Sequence, residues 1–397
     1  MFNNVMNKIL LFLLLCSVLF FIPSFAKANE DVGLFREKDI PYVVNLEDNN
    51  IITKEKTLQE KLSDIYHLEV EQIETPNFLL TEILTKKFDD NSAWDNLHLW
   101  GGYVGHTDFL FNEDEFENSE YRFDAINVGL DGKLKNNNGD FRIMLHNSPT
   151  SNRSFIQNLW ADVYVATNKI PHNRVLIGNT RPMVGMEGGY SPYALPFVSR
   201  SQISRNFGTV RRLGARLSGD YNLVDYDLGV YSSDTYFQSF FPGTEFIGWV
   251  NFKPLGKTDG RYGKLTLGGG VQSGNRNNSY TVTGAYLGYE YKKWLLNFEC
   301  ADADGYNGPV GYSVDKKAKG FYSTLAYRVT PKIQFLLRYD QFDPNKEIAN
   351  NNKKEYVAGI NYFIKGQGLK FVLNYVFCQN DSAKDSHKLI LGTQILL

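Results

Sequence analysis

The stretch Lys332-Ile-Gln-Phe-Leu-Leu-Arg-Tyr-Asp340 alternates between apolar and polar side chains. One face carries Ile333, Phe335, Leu337 and Tyr339. The other face carries Lys332, Gln334, Arg338 and Asp340, with Leu336 as the exception. A period of two is the period of an extended strand, whose successive side chains point to opposite faces. The stretch therefore predicts a strand with one apolar face and one polar face.

The same alternation recurs from residue 96 to the end of the chain, for example at 224–230 and 369–377. Alternation over about ten residues is typical of a strand that faces lipid on one side and a wet lumen on the other. We count sixteen such segments, centred near Trp100, Val128, Ile143, Asp162, Ile177, Arg216, Leu228, Val250, Leu267, Leu287, Phe298, Leu325, Leu337, Ile360, Leu373 and Thr393. The sequence therefore predicts an all-β protein, a 16-stranded antiparallel transmembrane β-barrel.

The connectors between these segments alternate in length. Short turns follow the even segments, as at 135–139 and 292–293, with 254–263 as a longer exception. Longer or more polar loops follow the odd segments, as at 107–119 and 302–317. Short turns on the periplasmic side and long loops outside are the pattern of outer-membrane barrels. An even number of strands also places both chain ends in the periplasm.

The N-terminus predicts export. Lys8 precedes an apolar run at 9–22, and a small-residue Ala26-Lys-Ala28 site follows. These are the three regions of a secretory signal peptide, which we assign to residues 1–28. No later stretch approaches 18 consecutive apolar residues, so the mature chain is not expected to cross a membrane by a helix.

Residues 29–94 differ in composition from the remainder and are predicted to be a periplasmic segment. Within 54–73 an apolar stripe with helical spacing is formed by Leu58, Leu62, Ile65 and Leu68. This helix is compatible with a short coiled coil on a trimer axis or with a simple linker. The barrel domain is then residues 95–397.

Composition excludes several classes of function. Without Lys8 and Lys27 the chain carries 40 basic and 44 acidic residues, which argues against binding to nucleic acid. Aromatic residues reach 14% and glycines number 34, as a barrel with aromatic lipid contacts requires. The sequence contains six histidines and no nucleophile elbow, phosphate-binding loop or zinc motif, so we predict no enzyme and no cofactor.

The connector at 186–211, between the fifth and sixth segments, is the longest and the most basic. A 16-stranded barrel is wide enough to hold water, and a loop folded into it would narrow the channel. Glu187 is the only acid of this connector. We predict a pore constriction that binds anions, formed by Arg181, Arg200, Arg205, Arg211, Arg212 and Arg216. Strand alternation places Arg212 and Arg216 on the lumen face, because charge on the lipid face is costly.

Two electrical outcomes are open for such a constriction. Fixed guanidinium charges raise the local concentration of anions and favour their passage. Acidic residues across the lumen would instead produce a transverse field without anion preference. The acidic residues with the matching strand parity are Asp162, Asp225, Asp227, Glu299 and Asp340.

The region of this connector resembles the phosphate-selective porin O and P family. The resemblance lies in Pro182-Met-Val-Gly-Met-Glu187, in residues 191–200 and in residues 211–219. It implies a trimeric 16-stranded porin of the outer membrane of a diderm bacterium, embedded in outer-membrane lipid, that passes small anionic or polar solutes, phosphate among them. It carries Arg200, Arg211 and Arg216 over by motif position.

The chain departs from the family pattern at three positions. Ser199 replaces the acid of a Glu-Arg pair, and Arg212 stands where an aspartate is usual. Leu397 ends the chain where an aromatic residue is usual. A ligand-specific uptake channel, such as a siderophore porin, is the alternative function; an outer-membrane enzyme and an adhesin are less favoured. The sequence thus predicts passive diffusion through an arginine-lined constriction.

Overall fold

The computed structural model describes residues 79, 81–112, 115–147, 159–234, 241–309 and 312–397. The predicted signal peptide at 1–28 and the helical pattern at 54–73 lie outside these residues. No helix in the described ranges is long and apolar enough to cross a bilayer.

The described residues form seventeen strands, three short α-helices and two 3₁₀ turns. The helices are α1 (Thr81–Leu84), α2 (Gly185–Gly188) and α3 (Gln202–Phe207), and the 3₁₀ turns are Lys135–Asn137 and Pro192–Ala194. The strands are β1 (Thr85–Lys87), β2 (Trp94–Asn112), β3 (Glu115–Leu134), β4 (Gly139–Asn147), β5 (Leu159–Thr167), β6 (Asn173–Thr180), β7 (Arg212–Asp220), β8 (Val224–Ser232), β9 (Thr244–Phe252), β10 (Lys264–Arg276), β11 (Asn278–Tyr291), β12 (Trp294–Tyr306), β13 (Val314–Thr330), β14 (Ile333–Asp343), β15 (Lys353–Lys365), β16 (Leu369–Asn380) and β17 (Ser386–Leu396).

Strands β2 to β17 close into a 16-stranded antiparallel barrel. Each strand pairs with the next one in sequence, and β17 pairs with β2 from Ser386 opposite Asn112 to Leu396 opposite Gly102. Closure pairs both edges of the sheet and leaves no free edge to aggregate. All sixteen predicted segment centres lie within β2 to β17, so the predicted barrel is confirmed.

The short strand β1 completes the seam of the barrel. It pairs with β2 at Thr85 opposite His98, beyond the point where β17 ends. The backbone N–H of Leu79 also donates to the carbonyl of Leu396 at 2.9 Å. Strand β1 therefore follows β17 as the next partner of β2, along the part of β2 that β17 does not reach.

The two faces of the barrel wall follow the predicted alternation. Outward apolar side chains are exposed, such as Leu337 at 58% and Ile177 at 61%. Outward rings form a continuous row, with centroids 4.9–5.9 Å apart, through Phe321, Tyr339, Tyr356, Phe377 and His387. Such rows are the aromatic girdles that anchor a barrel at the membrane boundary, and they account for the high aromatic content.

The connectors follow the prediction with two differences. The predicted loop at 107–119 is wrong, because β2 continues to Asn112 and β3 begins at Glu115. The outer part of β3 is exposed from Glu115 to Phe123, and polar residues there look like a loop although the backbone is paired. The outer connector between β10 and β11 is the single residue Asn277, whose φ of 66° an asparagine tolerates well.

Candidate functional site

Residues 181–211, here called the lumen loop, leave the wall between β6 and β7 and fold into the barrel. The far wall holds the loop by its backbone carbonyls. Lys370 Nζ on β16 donates to Leu195 O at 3.0 Å, and Asn361 Nδ2 on β15 donates to Pro196 O at 2.9 Å. The predicted inward course of this connector is therefore confirmed.

Acidic side chains of the wall receive the N-termini of the loop's helices. Glu299 on β12 accepts the N–H of Met186 in α2 at 3.0 Å. Asp340 on β14 accepts the N–H of Gln202, the first residue of α3, at 2.7 Å. The first N–H groups of a helix lack partners within the helix and carry partial positive charge, so carboxylates bind there favourably. These two contacts fix both helices against the wall.

An apolar cluster fills the space between the lumen loop and strands β8 to β14. Phe207 of α3 packs edge-on against Tyr306 and Phe342, at centroid distances of 5.0 and 5.8 Å. Trp249 stacks on Tyr286 at 5.9 Å within the same cluster. This apolar core packs the lumen loop against strands β8 to β14.

Packing against the lumen loop also explains the exception in the strand at 332–340. Leu336 faces the lumen and is 1% exposed. It packs against Phe197 of the lumen loop together with Ala326. An apolar residue on the lumen face is therefore a docking position for the loop.

Two candidate arginines, Arg181 and Arg200, converge on one carbonyl of the lumen loop. Arg181 Nη1 donates to Tyr190 O at 2.8 Å, and Arg200 Nη2 donates to the same oxygen. Arg200 Nε also donates to Glu187 O at 3.3 Å. Within the described ranges neither guanidinium forms an ion pair with a carboxylate. Burial lowers the pKa of Arg200 to about 10, which leaves it charged at neutral pH.

Arg211 lies beside this pair and has a carboxylate partner. Its Nε donates to Asp162 on β5. Arg181 Nε and Arg211 Nη1 are buried and have no hydrogen-bond partner among the described residues. A buried donor without a partner is costly, so these two groups would gain from an acceptor. Arg181, Arg200 and Arg211 are here called the arginine cluster.

The other three candidate arginines are each paired with an acid. Arg205 of α3 pairs with Glu355 at 2.8 Å. Arg216 contacts both oxygens of Asp227 at 2.9 and 2.7 Å. The structure therefore brings only part of the predicted set together without compensating charge.

Arg212 shows what strand parity can and cannot predict. It faces the barrel interior, but it is 2% exposed and pairs with Glu245 at 2.6 Å. Its Nη2 also donates to Asn307 O at 2.6 Å. Arg212 is therefore buried in a neutral ion pair and does not belong to the arginine cluster.

Sequence reasoning missed three arginines of the inner wall. Arg142 pairs with Asp131 at 2.7 Å, and Arg174 pairs with Asp140 at 2.6 Å. Arg142 on β4 lies opposite Asp131 on the neighbouring strand β3, so opposite charges of matching parity were the available signal for this pair. Arg174 on β6 instead reaches past β5 to Asp140 on β4, which pairing of neighbouring strands does not predict. The third is Arg338 on β14, which contacts Glu187 of the lumen loop.

Comparison with known proteins identifies the family. The sequence model of the family described as phosphate-selective porin O and P matches residues 99–395. The chain belongs to this family. The match covers nearly the whole barrel, so this porin is a channel of the outer membrane of a Gram-negative bacterium. No curated protein matches its sequence.

Solved structures share the fold of this porin at low identity. OmpF of Salmonella typhi, solved in complex with daunomycin, matches with a TM-score of 0.57 and 12% identity, over 79% of this chain and all of its own. An anion-selective porin of Comamonas acidovorans matches with a TM-score of 0.55 and 12% identity, over 76% and 99% of the two chains. The channel DcaP of Acinetobacter baumannii matches with a TM-score of 0.53 and 12% identity, over 79% and 100%.

Proposed function

We propose that this porin favours small anions over cations, and that the arginine cluster produces the preference. The observation that carries the proposal is the bonding of Arg181 and Arg200 to the carbonyl of Tyr190 rather than to a carboxylate. A carbonyl satisfies hydrogen-bond donors but does not cancel their charge. Two positive charges therefore remain at one level of the channel.

Three ion pairs of the inner wall supply a contrast to Arg181 and Arg200. The pairs Arg142–Asp131, Arg174–Asp140 and Arg216–Asp227 are each neutral as a pair. The charges of Arg181 and Arg200 are not neutralised in this way, and low-dielectric walls strengthen their field. An anion entering this level gains favourable interaction and a cation meets a barrier.

The chemistry of the arginine cluster suits small oxyanions. Guanidinium groups bind carboxylate and phosphate oxygens through paired N–H donors. The buried donors Arg181 Nε and Arg211 Nη1, which lack partners among the described residues, would gain hydrogen bonds from such oxygens. We propose small anionic or polar solutes as cargo, with phosphate as the candidate that the family description names. We further propose that the porin works as a homotrimer in outer-membrane lipid.

Charge substitution tests the proposal. Arg200→Glu in the purified porin should shift the zero-current potential in a KCl gradient toward potassium preference. The matched control is the double variant Arg216→Gln, Asp227→Asn, which removes one ion pair and leaves the net charge of the lumen unchanged. A shift in the control equal to that of Arg200→Glu, or no shift in Arg200→Glu, would contradict the proposal.

A further inference from the structure

Glu187 of α2 ties the lumen loop to itself and to the barrel wall. One carboxylate oxygen accepts the backbone N–H of Ser201 at 2.5 Å, and the other accepts Arg338 Nη2 at 2.5 Å. The backbone carbonyl of Glu187 accepts Arg200 Nε at 3.3 Å. Glu187 therefore holds both the guanidinium of Arg200 and the backbone directly after it.

Arg338 is the wall residue that holds Glu187. Its side chain is 3% exposed, so it does not line open channel. Its Nε donates to Thr324 Oγ1 at 3.0 Å, and its Nη1 donates to Ser199 O at 3.4 Å. The guanidinium also lies over an aromatic ring of the loop, Phe197, at 4.5 Å from the centroid. Arg338 of β14 is thus fixed by Thr324 of β13 and contacts the lumen loop directly before Arg200, at Phe197 and Ser199.

We infer that Arg338 is a positioning residue, which holds Arg200 in the constriction through Glu187. The carboxylate of Glu187 is 4% exposed and needs a compensating charge. Without the Arg338 guanidinium this buried carboxylate is driven toward water, and Ser201 and Arg200 move with it. The inference rests on the proposed function, because it takes Arg200 as a source of ion preference.

A double-mutant cycle in the full-length porin tests this role. Arg338→Gln should lower the chloride-to-potassium permeability ratio by at least about twofold, the lower range of coupling through a contact network. In an Arg200→Gln background the same substitution should change the ratio no further, because its effect acts through Arg200. A general loosening of the barrel would lower the ratio equally in both backgrounds.

Two further variants keep the test decisive. Arg338→Lys retains the charge beside Glu187 but cannot make the forked contacts with Thr324 and Ser199. It should give a ratio between wild type and Arg338→Gln, and it replaces Arg338→Gln in the cycle if that variant does not fold. The control is the double variant Arg142→Gln, Asp131→Asn, which removes one ion pair of the inner wall and leaves the net charge unchanged. Its ratio should equal that of wild type.

The outcomes separate this inference from the proposed function. An unchanged ratio in Arg338→Gln, or an equal fall in the Arg200→Gln background, overturns the positioning role. Arg200→Gln alone still shifts the ratio in that case, and the proposed function stands. If Arg200→Gln leaves the ratio unchanged, the proposed function fails and the inference fails with it.

Discussion

The contribution of each lumen arginine depends on its partner. Arg216 and Arg205 form ion pairs with carboxylates. Arg181 and Arg200 instead donate hydrogen bonds to a carbonyl oxygen. This difference cannot be read from residue type, since all four are arginines of the same region. Strand parity predicted that Arg216 points inward, but the partners of Arg181 and Arg200 depend on the path of the lumen loop.

At this scale we predict that inorganic phosphate blocks chloride current through single channels. Phosphate oxygens would occupy the free donors Arg181 Nε and Arg211 Nη1. Arg181→Gln should weaken the block by about tenfold, the equivalent of one charge-assisted hydrogen bond. The control is Arg205→Gln, because Arg205 already pairs with Glu355. A concentration dependence of block that is equal in both variants would contradict the assignment.

At the scale of single elements, the strand at 332–340 combines lipid contact, loop docking and charge. Its alternation was sufficient to predict the strand and its two faces. The role of Leu336 was not predictable, because it depends on Phe197, which lies 139 positions earlier in the sequence. Contacts between a wall strand and a distant loop leave no periodic signal in either segment.

The neighbouring leucines of this strand give a matched prediction. Leu336→Ala opens a cavity beside Phe197, at a cost of about 2–5 kcal/mol in folding free energy. The lumen loop should become less firmly seated, and open-channel current noise should increase. Leu337→Ala changes the lipid face, where Leu337 is 58% exposed, and should leave the noise unchanged. Equal noise in the two variants would contradict the docking role of Leu336.

The glycine triplet at 268–270 gives a second prediction for an element. A Cβ at Gly268 would collide with the ring of Tyr286, and one at Gly270 with Trp249. At Gly269 the nearest contact is a carbonyl oxygen at 3.2 Å. Gly268→Ala should lower the free energy of unfolding in lipid vesicles by about 1–3 kcal/mol, as overpacking does. Gly269→Ala should lower it less; the reverse order would contradict the inward packing.

At the scale of the whole molecule, closure depends on residues 94–396. Strands β2 to β17 pair around the full circle, and among the described earlier residues Leu79 and β1 add hydrogen bonds at the seam. The architecture was predictable because every strand repeats the same two-residue period. The length of the outer part of the strands was not predictable. In the outer part of β3, polar residues lie on both faces, so the two-residue alternation is lost there.

We therefore predict that a porin lacking residues 29–78 folds and shows the single-channel conductance of the full chain. Its oligomeric state, measured by mass photometry in detergent, separates the two interpretations of the predicted helix at 54–73. A monomer would support the coiled coil, and a trimer would support the linker. Loss of a folded barrel would contradict the prediction that closure needs β1 to β17 alone.

The most direct test of the central claim is the zero-current potential of the purified wild-type porin in a planar bilayer under a KCl gradient. Two arginine charges without carboxylate partners predict a sign that corresponds to chloride preference. A potential of zero, or one of the opposite sign, would contradict the claim and would mean that acidic residues compensate the arginine cluster.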